Sequence, residues 1–281
     1  MKTNKILSLL ISLAVFAFVV VSCEKNEEQA PVVSTVEDDA LADLIYEDIF
    51  AEVDAALQVM ELSLYDGKKS AEATVCKVIT VEYENDTVTW PRIITIDYGD
   101  GCTAPNGMVR KGKIITTVNK GRFWLEGFTR VVTFDNFYVD DLKIEGIKTF
   151  TNMGKNESEN MVFAISLEGG KVIHPDGKEI TRTFEHEKEW VSGSATPRIR
   201  LDDEFFITGA ASGVDRKGRA YLRTILTPLH AKLICRWIVA GSIEIQTEEL
   251  PTAILDYGDG ECDRKATVTI GEESSEILLR R

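Results

Sequence analysis

The string "DYGDG" occurs twice, at Asp97–Gly101 and Asp256–Gly260, 159 positions apart. Two carboxylates and two glycines within five residues could gather oxygen ligands around a hard cation such as calcium. The candidate ligands are Asp97 and Asp100 in the first copy, and Asp256, Asp259 and the following Asp263 in the second. The spacing is Asp-x-x-Asp-Gly, without the alternating ligands of an EF-hand loop. The same residues also serve plain turn geometry: Asp closes Asx-turns and Gly supplies a positive φ. Calcium at Asp97, Asp100, Asp256 and Asp259 is the minor reading, and a backbone turn is the main one.

Other chemistry is sparse. The three histidines are His174, His186 and His230, and none forms a metal-spaced pair. "HEKEW" from His186 does not complete the HExxH zinc-protease pattern. "GAASG" at Gly209–Gly213 sets its serine one place off a nucleophile elbow, and no P-loop or GxGxxG fingerprint occurs. Acidic pairs such as Asp140–Asp141 and Asp202–Asp203 are expected by chance among 46 acidic residues. No catalytic residue, resident metal or cofactor is therefore assigned. Trp90, Trp124, Trp190 and Trp237, expected on strands, are the candidate ligand contacts. Exposed aromatics stack on sugar faces, whereas buried ones simply fill a core. A glycan-binding surface, or a hydrolase working through a carboxylate pair, is the functional alternative to a non-enzymatic role.

The elements that must carry these residues come from the cysteines outward. Cys76 precedes Asp97 by 21 residues, and Cys235 precedes Asp256 by 21. Each copy then has a proline (Pro91, Pro251), an apolar strand-like run, "DYGDG" and a second cysteine, Cys102 or Cys262. The repeated unit is a hairpin bracketed by cysteines. Pairing within each copy, Cys76–Cys102 and Cys235–Cys262, would close two loops of similar length, each contributing about 3–4 kcal/mol. Four cysteines allow three connectivities, and pairing across copies stays open.

Residues Val36–Leu64 read as a helix. Leu41, Leu44, Ile45, Ile49, Val53, Ala56, Leu57, Met60 and Leu64 recur at helical spacing, while Asp43, Glu47, Glu52, Asp54 and Glu61 fall largely outside that stripe. Thr35 with Asp38 resembles a capping box, and Asp66–Gly67 marks the end. From Glu72 onward the chain reads as strand and turn. "ITRTFEHEKEW" places Ile180, Arg182, Phe184, His186, Lys188 and Trp190 on one face and Thr181, Thr183, Glu185, Glu187 and Glu189 on the other. Met161, Phe163, Ile165 and Leu167 share a side, as do Ala266, Val268 and Ile270. Glycines at 127, 146, 169, 193, 209 and 241 follow apolar-x pairs, about half marking bulges that curl a sheet and half strand ends. The expected fold is mainly β (α+β): an N-terminal amphipathic helix packed on long, curved antiparallel sheet, with a duplicated disulfide-bracketed hairpin.

The N-terminus sets the compartment. Lys2 and Lys5 precede "ILSLLISLAVFAFVVVS", and Ser22 stands directly before Cys23. This is similar to the signal and lipobox of bacterial lipoproteins, which implies cleavage after residue 22 and acylation of Cys23. Residues 23–35 then read as a flexible acidic tether, and 36–281 as a single large β-rich domain with 72–151 and 200–281 as related halves. Removing Lys2 and Lys5 from the 32 basic residues leaves the 46 acidic ones in excess by about 16. Such a charge repels phosphate backbones, so nucleic acid is excluded as a partner.

Together, "VVSC", "ITIDYGDGC", "VTFDNFYVDDLKIEG", "LTPLHAKLICRWIVAGSIEI" and "ILDYGDGECDRKATVTI" resemble a family of uncharacterised Bacteroidota lipoproteins. The resemblance implies an outer-membrane lipoprotein, anchored through its N-terminal lipid on the periplasmic face or the cell surface. It implies no catalytic residues. The partner expected beyond the membrane is a glycan, a small apolar ligand or an envelope protein.

Overall fold

The computed structural model describes residues 30–64, 72–73, 76–83, 90–104, 107–119, 121–196, 199–248 and 250–279. The signal segment, Cys23, the start of the tether and Asp66–Gly67 lie outside them. One helix, α1 (Ala30–Leu64), is followed by fifteen strands. In order they are β1 (Glu72–Ala73), β2 (Val78–Tyr83), β3 (Arg92–Asp97), β4 (Cys102–Thr103), β5 (Val109–Val118), β6 (Thr129–Val139), β7 (Leu142–Lys155), β8 (Met161–Ile173), β9 (Glu179–Ser192), β10 (Glu204–Val214), β11 (Ala220–Lys232), β12 (Ile238–Thr247), β13 (Ala253–Asp259), β14 (Lys265–Ile270) and β15 (Glu273–Leu278). They form one antiparallel meander in chain order, with only the short β4 off the path, paired to β5. Short links between alternating strands leave antiparallel neighbours as the available pairing.

Burial follows the two-residue period of the sequence. On β9, Ile180, Arg182, Phe184, Lys188 and Trp190 are buried, while Thr183, Glu185 and Glu187 are exposed. Phe163, Ile165 and Leu167 on β8, and Ala266, Val268 and Ile270 on β14, also turn inward. A fully enclosed side chain such as Ile96 or Phe137 contributes about 1.5–3 kcal/mol over its exposed state.

Four of the six singled-out glycines interrupt the register. Gly146 lies between Glu145 and Ile147, Gly169 between Leu167 and Gly170, Gly209 between Ile207 and Ala210, and Gly241 between Ala240 and Ser242. Gly127 and Gly193 sit in turns. At Gly209 the backbone has φ 123°, and a Cβ there would stand 2.2 Å from the Glu185 carbonyl oxygen. These bulges bend the strands, so the sheet curves around the helix.

The helix crosses the concave face from the C-terminal strands back toward β2. Its partners give the path: Arg216 in the β10–β11 turn meets Asp38, Arg182 on β9 meets Asp39, and Lys148 on β7 meets Glu47. Arg110 on β5 then meets Asp48, and Lys77 just before β2 meets Glu52. Val32, Thr35, Val36, Asp39, Ala42, Ile45, Tyr46, Ile49, Phe50, Val53 and Ala56 form the buried stripe at spacings of three and four.

Two expectations about this region need correction. The helix includes Ala30–Thr35, which the sequence placed in the tether. Thr35 and Asp38 are not a cap. Both lie within the helix and reach tertiary partners: Thr35 Oγ1 donates to Asp215 Oδ2, and Asp38 Oδ1 accepts from Arg216 Nε. Side-chain pairing across the fold wins over local capping because both residues are buried.

Both predicted hairpins exist. β2 pairs with β3 from Val78↔Asp97 to Tyr83↔Arg92, and β12 pairs with β13 around Ser242↔Asp256. Cys76–Cys102 and Cys235–Cys262 are disulfides, with Cα separations of 5.2 and 5.7 Å. Strand direction alternates along the meander, and the two copies run in opposite senses. The first "DYGDG" and its disulfide therefore lie at one end of the sheet, the second pair at the other.

Candidate functional site

The two "DYGDG" copies share one local geometry. Asp97 Oδ1 accepts from Gly99 N at 2.8 Å, and Asp256 Oδ1 accepts from Gly258 N at the same distance. Both tyrosines turn inward: Tyr98 Oη donates to Glu52 Oε2 at 2.8 Å, and Tyr257 is buried in one cluster with Leu255, Ala266 and Val268. Asp97 also faces Lys113 at 3.2 Å, while Asp100 and Asp259 are exposed. The candidate calcium ligands are engaged in turns or exposed. Among the described residues no group of three or more His, Cys, Asp or Glu is placed to hold a metal.

The concavity that the helix leaves unfilled is a cleft of about 1550 Å³. Ligand pockets typically measure about 300–1,000 Å³, so this one is large. Leu41, Leu44 and Leu57 of α1 form one side. Phe150 on β7, Phe163 on β8, Lys188 and Trp190 on β9, and Phe205 and Ile207 on β10 form the floor. Leu229 and Ala231 on β11, Leu255 on β13, Val268 on β14 and Ile277 on β15 form the far wall. Alternation on curved strands is what turns all of these inward together.

All four tryptophans line this cleft, at the end of the sheet where β3, β6, β10 and β12 begin. Only Trp190 is on a strand. Trp90 and Trp237 lie just outside β3 and β12, and Trp124 sits in the β5–β6 turn, which corrects the expectation of four strand positions. Their local sequences lack the alternation of a paired strand; "GRFWLEG" is a run of turns. Trp190 is buried, with its ring 5.9 Å from Phe205 and 6.0 Å from Phe123, and its Nε1 donates to Asp203 Oδ1 at 3.1 Å. Trp90 carries the Arg92 guanidinium 3.9 Å over its ring, and Trp124 carries Arg122 at 5.1 Å. At this end, which we take as the mouth, exposed apolar residues stand on three connections that supply lining residues: Leu125, Ile199 and Leu201 on either side of Arg200, and Ile234 between Leu233 and Cys235.

Charge inside the concavity is almost fully matched. Arg182 pairs with Asp39 and Asp43, and Arg223 pairs with the same two acids. Arg130 pairs with Asp54, Lys148 with Glu47, and Arg110 with Asp48. Burial alone would raise Asp43, but Arg223 and Arg182 outweigh it and hold the carboxyl at about 2. The ring of His186 stacks on Phe184 at 4.3 Å; burial, then Arg223, pushes its pKa down to about 3, so it is neutral. Asp203 is pushed up to about 6 by burial, with Asp202 adding to the rise.

Sequence reading missed the sheet cations Arg110, Arg130, Lys148, Arg182 and Arg223, and the floor residues Lys188 and Asp203. One signal was present: the inward face of β9 reads Ile-Arg-Phe-His-Lys-Trp, and cations among core positions demand buried acids elsewhere. Among the described residues no helix is long and apolar enough to cross a membrane. No protein-family model matches this chain, and no curated protein or solved structure matches it.

Proposed function

We propose that this chain is an exported, lipid-anchored, non-enzymatic binding protein that holds an amphipathic ligand in the cleft between α1 and β7–β15. The observation that carries the reading is the size and apolar lining of that cleft. A core of this extent normally closes on itself, because unfilled apolar surface forfeits dispersion contacts. Leu125, Ile199, Leu201 and Ile234 around the mouth are suited to passing an apolar molecule to or from a lipid surface. The anchor at Cys23 would hold the mouth within reach of that surface, consistent with the resemblance to envelope lipoproteins.

The two alternatives have less support. A glycan platform needs free aromatic faces, whereas Trp190 is buried and Trp90 and Trp124 each carry an arginine. A hydrolase needs a second carboxylate free to act with Asp203, whereas Asp43, Glu47, Asp48 and Asp54 of the helix are each held by a sheet cation.

The test is extraction of the purified full chain with organic solvent, followed by mass spectrometry. Covalent acyl chains on Cys23 stay with the protein, so extracted amphiphile reports the cleft. We expect near-stoichiometric amphiphile and saturable binding of the neutral probe N-phenyl-1-naphthylamine after its removal. Absence of both would end the proposal.

A further inference from the structure

The cation inventory of the concave face leaves one remainder. Lys188 is 8 % exposed, on the cleft floor between His186 and Trp190. Arg110, Arg130, Lys148, Arg182 and Arg223 each meet a helix carboxylate. Among the described residues Lys188 forms no hydrogen bond or ion pair. Its ammonium lies 4.3 Å from the Phe205 ring centroid and 6.0 Å from that of Phe50. Burial lowers its pKa, which is the mark of an ammonium short of solvation. Glu47, Asp54 and Asp203 act on it only at a distance, and an ammonium set among aromatics without a carboxylate in contact is costly.

We propose that the cleft takes a single-chain carboxylate amphiphile head-first, its carboxylate on the Lys188 ammonium and its chain along the apolar wall of β11 and β13–β15. This rests on the binding-protein reading above. The headgroup follows from the charge count. Glu47 and Asp54, the acids within electrostatic reach of Lys188, are already offset by Lys148 and Arg130, so one ammonium is left to balance one negative charge. A dianionic head would leave excess negative charge in the same low-dielectric pocket. The bound carboxylate supplies the partner that the chain itself omits, so the affinity comes in part from relieving the free protein. The tail direction follows from the lining: the partly exposed Ile207, Ala231, Ile277 and Leu279 offer the chain a surface without charge, backed by the buried Leu229, Leu255 and Val268.

The experiment uses the full chain in lipid nanodiscs, titrated with the fluorescent dansylundecanoic acid and, separately, with its methyl ester; empty discs supply the background. The wild type is expected to bind the acid at least tenfold more tightly than the ester. Lys188→Met is expected to lose that preference, to bind the ester as well as the wild type does, and to raise the Tm of the unliganded protein. Lys188→Gln, polar but uncharged, should lose the preference too, so the outcome does not hang on one variant. A wild type that binds both probes equally, or a Lys188→Met protein that keeps the preference, overturns the head-first assignment and leaves the cleft reading standing. A preference abolished by Arg236→Gln at the rim, with Lys188→Met unaffected, overturns it as well. Binding of neither probe overturns the cleft reading itself.

Discussion

Asp203 and His186 both face the cleft, and their titrations oppose each other. The folded state holds Asp203 protonated up to about 6, against an ordinary value of 3.8. Between those pH values the folded form carries the extra proton, so stability falls as pH rises. His186 is neutral down to about 3 in the fold, against 6.5. There the unfolded form carries the extra proton, so stability rises with pH. From about pH 4 to pH 6 the two slopes, each up to about 1.4 kcal/mol per pH unit, cancel. Asp203→Asn should therefore unmask a stability that climbs with pH across this window, and His186→Gln one that declines. Urea denaturation at pH 4, 5, 6 and 8 reads both. Parallel profiles for the two variants would show that neither group is held as described.

The same competition between burial and pairing governs the helix and the sheet beneath it. Sequence periodicity located α1, because its apolar stripe repeats at three and four residues wherever packing is one-sided. It misjudged Thr35 and Asp38, because a local capping motif and a tertiary hydrogen bond use the same side chains, and only the fold decides between them. It could not show that Asp43, Glu47 and Asp54 rest on sheet cations, since those partners lie between 76 and 180 residues away in the chain. The hairpins and disulfides were legible because a duplicated spacing is itself a structural statement. The cleft was not, because an unfilled volume leaves no trace in any one segment. The charge ladder has a measurable signature. Arg182→Met leaves the buried Asp39 and the flanking Asp43 to Arg223 alone, and should cost about 3–5 kcal/mol in urea denaturation. Combining it with Asp39→Asn should recover part of that loss, because the second change removes the charge that was left uncompensated. A double variant no more stable than Arg182→Met would show that the residues do not act as a pair.

At the scale of the molecule, the opposed orientation of the two hairpins separates rigidity from binding. Each disulfide closes a loop of similar length, with sequence separations of 26 and 27, so each should contribute about 3.5 kcal/mol by restricting the unfolded chain. Their places differ. Cys76–Cys102 sits at the opposite end of the sheet from the tryptophans, beside the Lys77, Glu52 and Tyr98 cluster that pins the helix. Cys235–Cys262 sits at the mouth, where Cys235 itself lines the cleft beside Arg236 and Trp237. An entropic cross-link lowers stability on removal wherever it lies, whereas a pre-organised rim changes affinity only if it borders the ligand. Replacing Cys76 and Cys102 by Ala should therefore lower the urea midpoint and leave probe affinity within about twofold, a few tenths of a kcal/mol. Replacing Cys235 and Cys262 should lower the midpoint by a similar amount and weaken N-phenyl-1-naphthylamine binding by about tenfold, or 1.4 kcal/mol. Equal losses of affinity in both variants would mean that the ligand senses global stability alone. Loss confined to the first would place the binding surface at the opposite end of the sheet from the tryptophans.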